Sequence, residues 1–296
     1  MATIVLSCVI VAFHRPASLD SLLRGLAGDG IEMIVVNVDD DPAVRDVAAG
    51  AGAVAVPLVG NPGYAAAVNA GVERASCAVV AFMNDDLRVS IDDLTHLAGL
   101  VATRAADVVV PTVVDASGSP EFTISALPTP ANLAKEWLAL PDAPVSFLGR
   151  FVTVEKWRRP DARERIQAAA ASLVVTRRDL LMQRPLPEHY FLYWEESDWF
   201  FGLAQDDATV MYVPEATCQH VGGRADVRPD KSRLLARNAV RCVRRTQGRW
   251  AALVAWPIVV AWNARLLVTS LRRPNLLRAR VAGLAAAMTA FGEVLR

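Results

Sequence analysis

The sequence predicts an α/β protein in which a mostly parallel central sheet is flanked by helices and followed by a C-terminal helical extension. Two observations carry this prediction. Within the first 115 residues, apolar and β-branched runs alternate with stretches whose leucines and alanines recur at helical spacing. These runs are continuously apolar, as in strands that are covered on both faces. From residue 228 onward, the periodic segments have helical spacing.

The alternation places five strands and four helices in the first 115 residues. The predicted strands are Thr3–Ala12, Met33–Val38, Ala53–Leu58, Ala78–Met83 and Asp107–Val114. The predicted helices begin at the cap Ser18, at Asp41-Pro42, near Tyr64 and at Ile91. Gly60-Asn61-Pro62-Gly63 is predicted to form a turn.

The following segment is irregular. Residues 115–165 contain six prolines and one helical piece near Ala131–Leu140. A long irregular stretch inside a compact domain is usually functional or mobile. Regular structure is predicted to return over Ala168–Thr176, with a helix beginning at Arg178-Asp179.

The net charge of zero conceals an asymmetry between body and tail. Residues 228–296 contain 14 Lys+Arg and two acidic residues, a formal charge of +12, whereas residues 1–227 carry −12. We therefore predict two parts with these boundaries. The basic tail indicates an anionic partner: a membrane surface, a nucleic acid or the protein's own acidic body. The alternative is that the arginines are simply solvated on helix surfaces.

The composition excludes several classes of protein. An apolar fraction of 53% argues against disorder. Four scattered cysteines without a Cys-x-x-Cys pair exclude a disulfide scaffold and a zinc ribbon, and they favour a reducing compartment. The apolar run Ile4–Phe13 follows no Lys or Arg and precedes His14-Arg15-Pro16, so it predicts a strand and not a signal peptide.

Two acidic motifs are candidates for chemistry. Asn84-Asp85-Asp86 follows a predicted central strand, where ligands of open sheets bind and paired carboxylates can hold Mg²⁺ or Mn²⁺. The alternative is a turn and helix cap.

Residues 190–201 place three carboxylates among seven aromatic residues. Aromatic walls and neighbouring like charges raise a carboxylate pKa, as a general base requires, although a helix start also favours acids.

Two further motifs have weaker signals. One residue separates His220 from Gly222-Gly223. Histidine is a common metal ligand, and a glycine backbone can lie close to a bound molecule. Asn61–Gly71 joins a turn to a helix of small residues, whose N-terminus can approach an anion. A structural histidine and a closely packed helix are the alternatives.

These four motifs, in this order, resemble the inverting family 2 glycosyltransferases of the GT-A fold, and among them the bacterial rhamnosyltransferase-like and galactofuranosyltransferase-like enzymes of the cell envelope. The resemblance covers about residues 3–224. It implies a nucleotide-sugar site built from Ala12, Phe13, Arg15, Asn37, Asp39, Asn61, Gly63, Asn69, Asn84 and Asp85. Asn37 and Asn84 stand where the family usually has Asp.

The resemblance also implies a mechanism and its cofactor. Asp86, with Asp85 as the second choice, and His220 would hold Mg²⁺ or Mn²⁺ on the donor diphosphate. Glu196 would act as the general base, with Glu195 and Asp198 as its catalytic neighbours. Trp194 and Tyr193 would contact the acceptor, and the irregular 115–165 segment would form part of a lid over it.

The implied partners are a UDP- or dTDP-sugar donor and a glycan or polyprenyl-linked glycan acceptor. We expect the tail to contact an anionic membrane through its arginines and Trp250, Trp256 and Trp262, which predicts a cytoplasmic protein on the inner face of the membrane. The alternative is a helical bundle that packs on the catalytic domain or on a second subunit. A short heptad-spaced series from Leu277 to Leu295 is compatible with either.

Other functions fit less well. A sugar nucleotidyltransferase or a Rossmann dehydrogenase needs a glycine-rich loop after the first strand, where this chain has Val11-Ala12-Phe13-His14-Arg15. Nucleic-acid binding lacks a motif. A catalytically degenerate scaffold that recruits partners through the tail stays open, because Asn37 and Asn84 replace expected carboxylates.

Overall fold

The computed structural model describes residues 6–28, 30–138, 158–222 and 227–295. The start of the first predicted strand, the end of the helical piece near Ala131–Leu140, a large part of the 115–165 segment and Gly223 lie outside the described residues.

The described chain alternates strands and helices. The strands are β1 Leu6–Ala12, β2 Ile31–Val38, β3 Val54–Leu58, β4 Val79–Asn84, β5 Leu87–Val89, β6 Val108–Val114, β7 Ile124–Ser125, β8 Glu164–Arg165, β9 Ala168–Ala169, β10 Leu173–Arg177 and β11 Val210–His220. The helices are α1 Pro16–Leu26, α2 Pro42–Gly50, α3 Tyr64–Arg74, α4 Ile91–Ala102, α5 Pro130–Leu138, α6 Arg178–Gln183, α7 Glu195–Gln205, α8 Pro229–Thr269, α9 Pro274–Thr289 and α10 Phe291–Leu295.

Nine strands of the described chain form one sheet, in the order β3-β2-β1-β4-β10-β6-β11-β5, with β8 paired to β11. Strands β1 to β4 are mutually parallel, and so are β6 and β11. Strand β10 lies between β4 and β6 and runs antiparallel to both, so six of the strands point the same way. The predicted mostly parallel sheet is confirmed. Strands β7 and β9 pair separately.

Helices cover both faces of the sheet, as the continuously apolar strands predicted. Successive residues of β1 point to opposite faces. Ile10 belongs to a buried cluster with leucines of α1 and α4, including Leu22. Val9 belongs to a second cluster with Val68 of α3 and Phe200 of α7.

The sequence located helix starts with mixed success. Asp41 caps α2 as predicted, because its carboxylate accepts a hydrogen bond from the amide of Ala43 at 2.9 Å. The cap predicted at Ser18 is wrong, since α1 begins at Pro16, whose fixed φ suits a first helical turn. The segment predicted over Ala168–Thr176 is divided into β9 and β10, which belong to different sheets.

The C-terminal extension is helical, as predicted. Gly248 has non-helical backbone angles (φ 87°, ψ 175°) inside α8, so this helix consists of two halves that meet at a kink. Pro257 lies within the second of them without ending it. Helix α9 packs along α8 with a buried face of small residues, namely Ala279, Ala282, Gly283 and Ala287.

Large apolar side chains of the extension point both inward and outward. Trp256 donates its indole N–H to Ala287 O at 2.9 Å, and the Trp262 and Trp137 ring centroids lie 5.9 Å apart. These two tryptophans therefore pack against neighbouring helices, whereas Trp250 is 71% exposed. The heptad-spaced series also contributes exposed apolar side chains, which include Val281, Met288 and Leu295.

An apolar stripe runs along the outside of α8 after the kink. Between residues 250 and 268 every exposed residue of this helix is apolar, and we call this set the outer stripe: Trp250, Val254, Pro257, Ala261 and Val268. Within the described residues, α8 is the one helix long and apolar enough to cross a membrane. Of its most apolar stretch, 22% is buried within the protein, so little of it serves as core.

The small-residue face of α9 gives the first prediction. Ala287→Leu is expected to lower the stability by about 1–3 kcal/mol, because Ala287 is fully buried against α8 and the larger side chain overpacks the contact. Ala285→Leu, at an exposed position of the same helix, is the matched control and should change the stability little. Urea denaturation of both variants measures the difference. Equal stabilities would contradict this packing.

Candidate active site

The carboxyl ends of neighbouring parallel strands bring the predicted donor-side residues together. Ala12 at the end of β1 is paired in register with Asn37 of β2, and β1 also pairs with β4, which ends at Asn84. The amide of Phe13 donates a hydrogen bond to Asp85 Oδ2 at 3.2 Å. Ligands of open α/β sheets bind beyond this edge. These residues therefore lie at the edge of the sheet where a donor would bind.

Asp86 is the centre of a charged cluster. Its Oδ2 pairs with the guanidinium of Arg15 and lies 3.4 Å from His220 Nε2, and His220 Nδ1 lies 3.4 Å from Glu121 Oε2. A Cβ at Gly222 would collide with the Asp86 carboxylate, so glycine leaves room for it. Burial acts to raise the pKa of Asp86, but His220 and Arg15 hold it below its ordinary value.

The Asp86–His220 pair suits a divalent cation. Asp86 is 6% exposed and its Oδ1 has no hydrogen-bond partner, which is costly for a buried carboxylate oxygen. Mg²⁺ and similar ions use one or two carboxylates and take other ligands from substrate phosphates and water. Among the described residues, no group of three or more His, Cys, Asp or Glu is arranged to hold a metal. The predicted ligands Asp86 and His220 are therefore adjacent, and their binding of a metal stays a prediction.

A second acidic cluster occupies the first turn of α7. Glu195 is 4% exposed, and its Oε2 is buried without a hydrogen-bond partner. Burial raises the pKa of Glu195 well above its ordinary value, and the charge of Glu196 adds to the rise. Burial also raises the pKa of Glu196. A carboxylate with a raised pKa is suited to proton removal near neutral pH.

Tyr64 connects the two acidic clusters. Its hydroxyl donates a hydrogen bond to a backbone carbonyl at 3.0 Å. Burial raises the pKa of Tyr64 well above its ordinary value, and four carboxylates add to the rise: Glu195, Glu196, Asp86 and Asp85. All four carboxylates therefore act electrostatically on this one phenol.

The predicted turn before α3 is pressed against the segment that leads to the second cluster. Gly63 has a φ of 99°, and a Cβ there would collide with the carbonyl of Phe191. The same carbonyl accepts a hydrogen bond from the amide of Tyr64 at 3.2 Å. Asn61 Oδ1 accepts from the amide of Gly63 at 3.0 Å. Asn61 and Gly63 therefore let this turn approach the backbone of Phe191 closely.

Two asparagines predicted to contact the nucleotide form hydrogen bonds with the protein backbone. Asn37 is 1% exposed, and its amide exchanges two hydrogen bonds with the backbone of Asp41 at 2.9 and 3.0 Å. Asn69 exchanges two with the backbone of Leu186. These two amides hold loops in the structure, and their contact with a nucleotide stays a prediction. Asp39 and Arg15, with side chains 49% and 54% exposed, are accessible donor-side candidates, as are the exposed Phe13 and Asn61.

The other predicted residues of the second cluster face the C-terminal extension. Trp194 packs with the buried cluster of α8 and α9, and its indole N–H donates to Leu235 O at 3.0 Å. The ring of Tyr193 lies under the ammonium of Lys231. Asp198 Oδ2 accepts from the hydroxyl of Tyr190 at 2.9 Å. Trp194 and Tyr193 therefore contact the C-terminal extension, and the acceptor contact predicted for both stays a prediction.

Sequence reasoning missed two residues of the site. Tyr64 stood inside a recognised motif, and a bulky residue directly after Gly63 in a helix of small residues was the available signal. Glu121 comes from the irregular 115–165 segment, where no local pattern marks it.

The fold and the site together define an α/β protein with two acidic clusters, one directly after β4 and the other in the first turn of α7. Residues 7–154, half of the chain, match the family model described as "Glycosyl transferase family 2". The chain belongs to this family and is a glycosyltransferase. No curated protein sequence matches the chain.

Solved structures share the fold at low sequence identity. The chain is similar to the mannosyltransferase PcManGT from Pyrobaculum calidifontis in complex with GDP-Man and Mn²⁺ (TM-score 0.56, 13% identity, 97% of this chain and 86% of that one). It is also similar to GalNAc-T7 with UDP, GalNAc and Mn²⁺ (0.57, 15%, 99% and 57%) and to S. aureus TarS residues 1–349 (0.51, 14%, 97% and 92%). The predicted GT-A fold is confirmed.

The burial of Asp85 predicts a pH-dependent stability. Burial raises its pKa from 3.8 to about 6, and Asp86 contributes. The folded protein holds this proton more tightly than the unfolded chain, so the ionised form costs stability, fully above about pH 6 and not below about pH 4. Asp85→Asn is expected to stabilise the metal-free protein by roughly 1–3 kcal/mol at pH 7.5 and by less at pH 5. Thermal denaturation with a chelator present measures this, and a variant that melts below the wild type at pH 7.5 contradicts it.

Proposed function

We propose that the protein is an inverting glycosyltransferase that moves a sugar, rhamnose-like or another hexose, from a UDP- or dTDP-sugar to a hydroxyl of a glycan. The observation that supports it is the pair of buried acidic clusters that converge on Tyr64. Proteins with this fold bind nucleotide diphosphates, as the GDP-Man complex of PcManGT and the UDP complex of TarS illustrate. Bacterial cell-envelope glycans are the proposed products.

The donor side would hold the diphosphate. A divalent cation bound there stabilises the charge that develops on the departing diphosphate. Asp86 and His220 are its proposed ligands, with the unpartnered Oδ1 of Asp86 available to it. Arg15, which already pairs with Asp86 and keeps half of its side chain exposed, can turn toward a phosphate oxygen.

The acid side would activate the acceptor. Glu196 removes the proton from the acceptor hydroxyl, and the oxygen attacks the anomeric carbon on the face opposite the leaving diphosphate, which inverts that carbon. Because burial raises the pKa of Glu196, its ionised form appears at higher pH than for an exposed glutamate. Glu195, buried beside it with an unpartnered oxygen, is placed to accept a second hydrogen bond from the acceptor.

The same proposal extends to the location of the acceptor. The outer stripe is exposed and apolar, and exposed arginines flank it at Arg249 on one side and at Arg272 and Arg273 on the other. An apolar helical face with arginines at its ends complements an anionic bilayer surface. We propose that the protein lies on the cytoplasmic face of the membrane and takes a polyprenyl-linked acceptor there.

Removing the base tests the enzyme proposal. Glu196→Gln is expected to lower kcat by at least about 10²-fold, since the amide cannot accept the proton, while nucleotide binding persists. Glycosyl transfer from a panel of UDP- and dTDP-sugars measures kcat, and thermal shift with each nucleotide and Mn²⁺ measures binding.

Two controls accompany that experiment. Glu73→Gln, at an exposed glutamate of α3, should behave as the wild type. Asp86→Ala should abolish metal-dependent stabilisation by the nucleotide. Unchanged cellular function in Glu196→Gln would instead favour the catalytically degenerate scaffold. Asn84, which replaces an expected carboxylate, supports that alternative.

The outer stripe gives a separate prediction. Val254→Glu is expected to reduce co-sedimentation with phosphatidylglycerol vesicles at least about tenfold, because a carboxylate replaces an apolar group at the lipid contact. Val59→Glu, at a fully exposed valine of the catalytic body, is the control. If the wild-type protein does not bind vesicles but dimerises through the outer stripe in sedimentation experiments, the stripe is a contact with a second copy.

A further inference from the structure

The turn that precedes the proposed base has an unfavourable backbone. Tyr193 and Trp194 have φ angles of 68° and 78°, in the left-handed region that residues with a Cβ disfavour. Trp194 is the last residue before α7, and no side chain caps this helix start. The orientation of Glu195 and Glu196 therefore depends on what holds residues 192–194, which we call the base turn.

Helix α8 holds the base turn with a buried amide. Asn238 is 3% exposed, and its Nδ2 donates hydrogen bonds to Leu192 O at 3.0 Å and to Tyr193 O at 3.1 Å. One helical turn earlier, Leu235 O accepts the indole N–H of Trp194 at 3.0 Å. Residues three apart share a helix face, so one face of α8 contacts all three residues of the base turn.

The contact continues along the same face of α8. Arg241, three residues after Asn238, donates from its guanidinium to His189 O at 2.6 Å. Arg245 Nε lies 3.5 Å from Asp198 Oδ2 in the first turn of α7. On the opposite side, the amide of Tyr64 donates to Phe191 O. The segment is thus held between α3 and α8.

The chemistry of the Asn238 contact is specific. Two backbone carbonyls accept hydrogen bonds from one nitrogen, and a primary amide supplies both N–H groups. A carboxylate or an apolar isostere at this position would leave two carbonyls without this donor, at a buried position where that is unfavourable.

We propose that Asn238 is a positioning residue for Glu195 and Glu196, and that the first half of α8 is a part of the acceptor side of the site. This inference rests on the proposed function, since it concerns the reach of the base. Loss of the amide would let the base turn relax from its left-handed conformation and would move the carboxylates away from the acceptor hydroxyl.

The test compares the effect of substitutions at Asn238 on kcat with their effect on the KM for the donor. Asn238→Leu removes both donors and keeps the number and branching of the side-chain heavy atoms. It is expected to lower kcat about 10²-fold, with the KM for the donor within about twofold of the wild type, because misplacement of a reacting group acts on the chemical step. Asn238→Gln retains the NH₂ group and should recover part of kcat. If Asn238→Leu does not fold, Asn238→Ser, with a single donor, should give an intermediate kcat.

The matched control is a second buried asparagine of the same helix. Asn263 donates within α8 to Val259 O at 2.9 Å and touches neither cluster, so Asn263→Leu should keep the wild-type kcat. A folded Asn238→Leu with unchanged kcat, or equal losses in both variants, overturns the inference. If Glu196→Gln also keeps its turnover, the proposed function itself fails.

Discussion

Three buried carboxylates and a partly buried fourth, all acting on a single tyrosine, impose the main constraint on this structure. Like charges in a poorly hydrated region repel each other, and two of the oxygens, Asp86 Oδ1 and Glu195 Oε2, have no hydrogen-bond partner. Such an arrangement persists only when the surrounding backbone is rigid. The sheet edge supplies that rigidity to Asp85 and Asp86, and the contacts of α3 and α8 supply it to the start of α7.

The two aspartates of the donor side have opposite environments although they are adjacent. Asp86 has Arg15 and His220 beside it, so its pKa is lowered and it stays ionised at neutral pH. Asp85 is held by the amide of Phe13, yet burial raises its pKa to about 6. A cation is attracted to the group that is already charged. The geometry thus favours Asp86 over Asp85 as a ligand for a physical reason that the sequence, with two identical residues, does not contain.

The alternation of strands and helices, the covered sheet and the acidic start of α7 were predictable because each is a local pattern of apolar spacing or charge. The loop contacts of Asn37 and Asn69 could not be predicted, because an amide that holds a loop and an amide that holds a ligand have the same sequence signature. Asn238 was missed for another reason: its partners lie about 45 residues earlier in the chain. Periodicity describes the face of a helix, and it does not identify the segment that this face meets.

The extension shows why charge and hydropathy alone left two interpretations open. Helix α8 is bent at Gly248, and its two halves have different neighbours. Before the kink, Leu235, Asn238 and Arg241 contact the segment that carries the acidic cluster. After the kink, the outer stripe faces away from the protein. Packing on the catalytic domain and contact with a membrane are therefore compatible, because they use different parts of one helix. A bilayer that held the outer stripe would act on the same helix that supports the base turn, so binding at the surface and order at the site would be mechanically linked.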